Sequence, residues 1–287
     1  MKKIRLKSPA KINLTLEVIK KLPSGFHELR SVMLKLSNLY DELEVVFDEK
    51  KDGLRIICDD KKVPTDKSNI VWKITEKFFE KTGERMGLTI KIKKRIPMAA
   101  GLGGGSSNGA SVLLALNDYF GKPLSFKNLV EIAAEVGKDM PVFLVKEKLV
   151  CVSSTGENLK HIGKSFRGTI LIVKPEGEIS TPWAYGELDK KLAFMDSSQR
   201  LDLSKNFIKK LSDIKNCELY NDFEIVAKGK YTQIEILEKA MLSFGALKTS
   251  LTGKGPTIFG IFKTKREAFN AKKILKKYYP NLFVELG

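Results

Sequence analysis

The spacing of hydrophobic residues changes along this 287-residue chain, and the changes mark out its elements. Ile12, Leu14, Leu16 and Val18 alternate with Asn13, Thr15 and Glu17, and LEVVF at 43–47 is rich in β-formers, so the first 60 residues are predicted as strands. LPSGFHE (22–28) holds Pro and Gly and reads as a turn between them. A helix is predicted after Ser68 or Asn69, with Ile70, Val71, Ile74, Phe78 and Phe79 inward and Gly83 closing it. LTIKIKKRIP (88–97) follows as a strand. A helix from about Ser125, stapled by Leu124 and Leu129, buries Leu129, Ile132, Ala133 and Val136 and stops at Gly137. Asp139 lies just past it, next to Met140, whose backbone Pro141 disfavours in the helical region.

After about residue 153 the texture changes. GTILIVKP (168–175) reads as a strand, STPWAYGEL (180–188) as a turn leading into a helix, and 189–205 as a long polar loop. Helices are predicted near 205–211, 232–243 and 265–278, and strands near 247–251, 257–262 and 282–286. A glycine turn, LTGKGPT (251–257), separates two of these strands. The pattern is that of an α/β (α+β) protein with domains at 1–153 and 154–287.

Composition narrows the class. With 43% hydrophobic residues the chain can bury a sizeable core, and no apolar run approaches the roughly 18 residues of a membrane span. Three scattered cysteines without a C-x-x-C pair, and two histidines, imply a reducing, cytoplasmic setting and no dedicated zinc site. The formal charge of +17 raises nucleic-acid binding. Against it, eight arginines stand beside 43 lysines, whereas phosphate and base recognition favours the planar guanidinium. The densest basic stretch, Lys263 to Lys277, reads as a solvated helix face.

The most informative stretch is AAGLGGGSSNGASVLLALNDYFGKP (99–123). Gly101, Gly103, Gly104 and Gly105 are predicted as a loop, Ser106, Ser107 and Asn108 as capping types, and Ala110–Leu116 as a buried helix. Neither G-x-G-x-x-G nor G-x-x-x-x-G-K-[ST] can be spelled from it. The physics of an anion loop remains: glycine backbone amides approach a phosphate, and the following helix adds free donors and partial positive charge.

PMAAGLGGGSSN (97–108) resembles the phosphate loop of the GHMP small-molecule kinases. SPAKINL (8–14) and PSGFHE (23–28) narrow the likeness to members acting on a cytidine diphosphate ester in isoprenoid biosynthesis. SNIV (68–71), DMPVF (139–143), TGE (155–157), NDFE (221–224) and TGKGPT (252–257) follow in the family's order. The resemblance implies a two-domain kinase with its active site in the cleft between domains, ATP and Mg²⁺ as cofactors, and a small-molecule substrate rather than nucleic acid or membrane. By resemblance Asp139 is the base that takes the hydroxyl proton and Lys11 its partner. A carboxylate suits that role, and an ammonium nearby would steady the developing alkoxide. Pro97, Met98, Ala99, Ala100, Gly101, Leu102, Gly103, Gly104, Gly105, Ser106 and Ser107 are assigned to ATP. Asn69 matches an adenine-side position and is equally a helix cap. Phe26 and Tyr185 match the stacking aromatics, His27 the cytosine reader, and Asn13 and Thr181 polar substrate contacts. Which serine would reach the metal stays open. Lys138 and Lys254 depart from the family, which usually has small residues there. A homoserine- or mevalonate-type kinase is the alternative within the superfamily, and a basic nucleic-acid-binding or inactive relative the one outside it.

Overall fold

The computed structural model describes residues 1–192 and 203–287. In chain order the elements are β1 (Lys2–Lys21), β2 (His27–Asp48), β3 (Leu54–Cys58), α1 (Ile70–Thr82), β4 (Gly87–Lys93), α2 (Gly104–Tyr119) and α3 (Phe126–Val136). A 3-10 turn, Pro141–Phe143, precedes β5 (Leu149–Ser154), β6 (Asn158–His161), β7 (Thr169–Lys174), α4 (Thr181–Leu192) and α5 (Leu203–Lys210). The chain ends with β8 (Tyr220–Asn221), α6 (Glu224–Lys230), α7 (Gln233–Ser243), β9 (Lys248–Leu251), β10 (Ile258–Phe262), α8 (Lys265–Tyr278) and β11 (Phe283–Leu286).

Two compact units form, and both are discontinuous in sequence: residues 1–10, 35–98 and 103–147 make the first, and 11–34, 99–102 and 148–287 the second. A single boundary near 153 does not describe them, because β1 and β2 each contribute residues to both units.

In the first unit β4 pairs parallel to β3 and antiparallel to β2, with Ile90 opposite both Ile56 and Val45. Phe47, Ile74, Phe78 and Ile90 are fully buried between this sheet and the helices. α1 begins where predicted: the Asn69 side chain accepts from the Val71 N–H at 2.8 Å, and Gly83 closes the helix at φ +76°. Ser125 caps α3 likewise, accepting from the Asn128 N–H.

In the second unit β5 pairs antiparallel with the start of β2, and β8 runs parallel to β1. A four-stranded antiparallel sheet, order β11-β7-β10-β9, carries α7 and α8. Leu171, Val173, Ile258, Phe262, Leu275 and Met241 are buried in its core.

Four expectations need correction. The glycines 104 and 105 belong to α2 and not to a loop, and the cap is Gly103 in the left-handed region, not Ser106 or Ser107. Close packing explains the glycines inside a helix: a Cβ on Gly104 would meet Ile96 at 3.0 Å, and one on Gly109 would meet Met140 at 2.8 Å. Met140 takes the helical conformation despite Pro141, at φ −68° and ψ −39°. It is fully buried and sits in a hydrogen-bonded turn, its N–H on Gly137 O and its carbonyl on Phe143 N–H, which outweighs the pre-proline preference. α4 continues to Leu192 and α5 starts at Leu203, so the ends of the predicted 189–205 loop are helical, while 193–202 lies outside the described residues. Last, α6 and the strands β5, β6 and β8 are elements that the periodicity did not single out. Among the described residues no helix is long and apolar enough to cross a membrane.

Candidate active site

In the first unit, the approach to the glycine stretch is clamped by Asp41, which is fully buried. Its Oδ1 accepts from the N–H groups of Arg95 (2.8 Å) and Ile96 (2.9 Å), and its other oxygen pairs with the Lys94 ammonium. Lys94 Nζ in turn lies 3.3 Å from where a Cβ on Gly104 would be, so a cation stands at the start of α2. Ser107 is fully buried and accepts from the Ser8 hydroxyl at 2.8 Å, while Ser106 is half-buried. Pro97 is half-buried and Met98 exposed.

Asp139 is half-buried in the turn after α3. That turn packs on the first turns of α2 at two points. Met140 fills the space that a side chain at Gly109 would take, and Ser106 Oγ lies 3.4 Å from the Cβ position of Gly137. The predicted base and one candidate phosphate-loop serine therefore share one neighbourhood within the unit. Asn69, by contrast, uses its amide as the α1 cap and as a donor to Pro64 O.

In the second unit, the polar face of β1 is buried: Lys11 is 2% exposed and Asn13 1%. Thr15 and Glu17 are buried as well, so this strand is covered on both faces and its polar side chains are satisfied internally. Lys11 Nζ donates to Asn13 Oδ1 at 2.8 Å, and the same oxygen accepts the Gly253 N–H at 3.0 Å. Asn13 Nδ2 donates to Ser31 Oγ at 2.8 Å, and Thr252 Oγ1 accepts the Asn13 N–H at 3.1 Å. Asn13 is thus a buried hub beneath Lys11. Further along, Thr15 Oγ1 bonds Ser204 Oγ, and Glu17 Oε1 accepts from Ser204 N–H and Oγ.

Ala99, Ala100, Gly101 and Leu102 group with this unit. The Lys11 N–H donates to Leu102 O at 2.9 Å. Gly101, at φ +72°, lies so close to the 252–253 backbone that a Cβ would sit 2.5 Å from Thr252 O. The turn it meets is held by the NDFE stretch: Asn221 Nδ2 donates to the carbonyls of Leu251 and Gly253, and Glu224 Oε1 accepts from Leu251 N–H and Ser250 Oγ.

Helix α4 sets Thr181, Tyr185 and Asp189 four residues apart, on one face. Thr181 Oγ1 accepts from Lys254 Nζ at 2.6 Å. Burial pulls the Lys254 ammonium below its ordinary pKa, with Glu178 opposing. Tyr185 stacks on His27, ring centroids 4.4 Å apart, and meets Phe223 edge-on. His27 Nε2 contacts Asp189 Oδ1 at 2.6 Å. Phe26, beside His27, is 51% exposed.

The structure thus brings together Ser106, Ser107 and the Asp139 turn in one unit, and Lys11, Asn13 and Leu102 as well as His27, Tyr185 and Thr181 in the other. Thr252, Asn221, Asp41 and Lys94 are partners that sequence reasoning did not assign. Asp189 was also missed, because it falls at the start of the stretch expected as a polar loop, which α4 in fact continues into.

Comparison with known proteins identifies the fold and family. The GHMP kinases N terminal domain model matches residues 69–147 and the GHMP kinases C terminal model residues 204–281. A 4-diphosphocytidyl-2-C-methyl-D-erythritol kinase of Geobacter sulfurreducens is 33% identical over 277 residues, 96% of each chain. The enzyme of that name from Acetivibrio thermocellus is 35% identical over 285 residues, 99% of each chain. A crystal structure of 4-(cytidine 5'-diphospho)-2C-methyl-D-erythritol kinase superposes with a TM-score of 0.80 at 26% identity, covering 99% of this chain and 98% of that one. A homoserine kinase of Cytophaga hutchinsonii, at 0.77 and 22% identity over 100% and 94% of the two chains, shares the fold. Relatives of one name, alike over nearly their whole length, together with both halves of the GHMP pattern, mean that this chain belongs to the 4-diphosphocytidyl-2-C-methyl-D-erythritol kinase family of GHMP kinases.

Proposed function

We propose that this chain transfers the γ-phosphoryl group of ATP to a hydroxyl of 4-diphosphocytidyl-2-C-methyl-D-erythritol, giving the 2-phosphate and ADP, as a cytoplasmic step of non-mevalonate isoprenoid synthesis. The observation that supports it most is the packing of the Asp139 turn on the first turns of the glycine-led helix α2, through Met140 on Gly109 and Gly137 on Ser106. A phosphoryl-transfer enzyme needs a carboxylate close to its phosphate-binding backbone, and this packing supplies one.

Asp139 accepts the hydroxyl proton as the oxygen attacks phosphorus. Lys11, oriented from below by Asn13, steadies the negative charge on that oxygen. Backbone amides from Gly101 to Gly105, with the free donors at the start of α2, hold the phosphates. Ser106 would hold Mg²⁺, because the Ser107 hydroxyl is already engaged by Ser8 and Mg²⁺ takes few protein ligands beside phosphate oxygens and water. When bound, the metal neutralises phosphate charge. Phe26 and Tyr185 stack on the cytosine, His27 reads its edge, and Thr181 contacts the substrate with Lys254 behind it. Asn69 lies on the adenine side while capping α1.

The reading is tested by Asp139→Asn. Loss of a general base should lower kcat by about 10²–10⁴-fold while the thermal midpoint stays close to that of the unmodified protein. Retention of kcat within a few-fold would contradict the assignment.

A further inference from the structure

His27 is held from two sides. Its side chain is 7% exposed, Tyr185 lies flat against it, and Nε2 is 2.6 Å from Asp189 Oδ1. Asp189 is itself anchored: its other oxygen accepts from Lys21 Nζ at 2.9 Å. Among the described residues Nδ1 of His27 has no hydrogen-bond partner.

The protonation pattern follows from these contacts. Burial pushes the Asp189 carboxyl upward, but the hydrogen bonds and charges of Lys21 and His27 outweigh it and hold the group below its ordinary pKa. An ionised carboxylate only accepts hydrogen bonds, so the nitrogen facing it carries the proton. A neutral imidazole has a single N–H, which leaves Nδ1 as a lone pair. Such a lone pair accepts from an exocyclic amino group and is repelled by a carbonyl oxygen. Cytosine presents an amino group at the position where uracil presents a carbonyl.

We propose that Asp189, fixed by Lys21, holds His27 as the Nε2–H tautomer, and that the resulting acceptor at Nδ1 selects a 4-aminopyrimidine over a 4-oxopyrimidine in the substrate. This makes Asp189 a positioning residue that acts through His27, and it rests on the reading of the substrate as a cytidine diphosphate ester. Placement supports it: Asp189 lies one turn beyond Tyr185 on α4, so a single helix face presents both the stacking ring and the group that orients the reader.

The chain has only two histidines, so His161→Gln leaves His27 alone in the imidazole region of a ¹⁵N–¹H NMR spectrum. At about pH 8 the ligand-free protein should show a protonated Nε2 and an unprotonated Nδ1. In Asp189→Asn, Lys21 keeps the amide carbonyl, the amide N–H₂ turns to Nε2, and the proton moves to Nδ1. The spectrum should invert. kcat/KM for the cytidyl ester should fall about 10- to 100-fold, the effect of a hydrogen bond replaced by two opposed donors, and the uridyl analogue should gain relative to it. A doubly protonated or Nδ1–H imidazole in the His161→Gln protein overturns the proposal, and this result does not depend on the second variant folding. An inverted tautomer with an unchanged cytidyl-to-uridyl ratio overturns the selectivity. Failure of the unmodified protein to phosphorylate the cytidyl ester sinks the substrate reading instead, and the imidazole spectrum is independent of it.

Discussion

Lys11 shows how far a single residue could be read. From its spacing it is one polar position on an alternating strand, and exposed lysines are the rule. Only the SPAKINL context singles it out. It is 2% exposed, and while its bond to Asn13 is local, the hub that Asn13 forms beneath it is completed from chain more than 200 residues away, by Thr252 and Gly253. Asn13→Leu removes the acceptor shared by Lys11 and the Gly253 N–H. It should cost about 1–3 kcal/mol in urea unfolding, and should lower kcat more than it raises the KM for ATP. Unchanged kcat would show that Lys11 needs no orientation from below. Lys35 offers a test of sign. Burial lowers its pKa from 10.5 to about 8, with Glu147 opposing, and its ammonium donates to Val145 O. Because the folded pKa lies below the unfolded one, the full burden on stability is present below about pH 8 and lifts as pH rises toward 10.5. Compared with Lys35→Met, the native chain should therefore gain stability between these limits in urea titrations. A gap that stays constant with pH would contradict the burial argument.

Among elements, those with a strong period and caps were legible: α1, α3, α8 and the strands β7 and β10 fall where the pattern puts them. α2 was harder, because its first turn is made of residues with poor helix propensity. Gly104 and Gly109 are there to admit Ile96 and Met140, a packing demand that local sequence does not display. Met140 likewise follows its turn and its burial and not its proline. Gly101 belongs to the same scale, since it sets how closely the loop approaches the 251–257 turn. An alanine there must hold φ +72° and meet Thr252 O at 2.5 Å. Gly101→Ala should cost at least about 1–2 kcal/mol from the backbone conformation alone, and should depress ATP turnover. A variant as stable and active as the native chain would mean that the approach is not needed.

For the whole molecule, the fold class could be argued from the sequence, but the composition of its compact units could not. β1 and β2 are 20 and 22 residues long, and no local pattern says that one strand serves two units. The net charge of +17 first suggested nucleic acid, yet basic residues on both units, including two of the densest basic stretch, are engaged by carboxylates. Lys272 and Lys276 of the basic helix α8 share Glu285, and hydrogen bonds from Lys3 and Lys91 hold the Glu44 carboxyl down to about 2. What remains is a lysine-rich surface suited to anionic ligands such as MgATP and a cytidine diphosphate ester. The measurement that tests the central claim most directly is coupled ADP release with the cytidyl ester, homoserine, mevalonate or no acceptor present. The account predicts ADP release that depends on the cytidyl ester. Turnover on homoserine or mevalonate with indifference to that ester would contradict it.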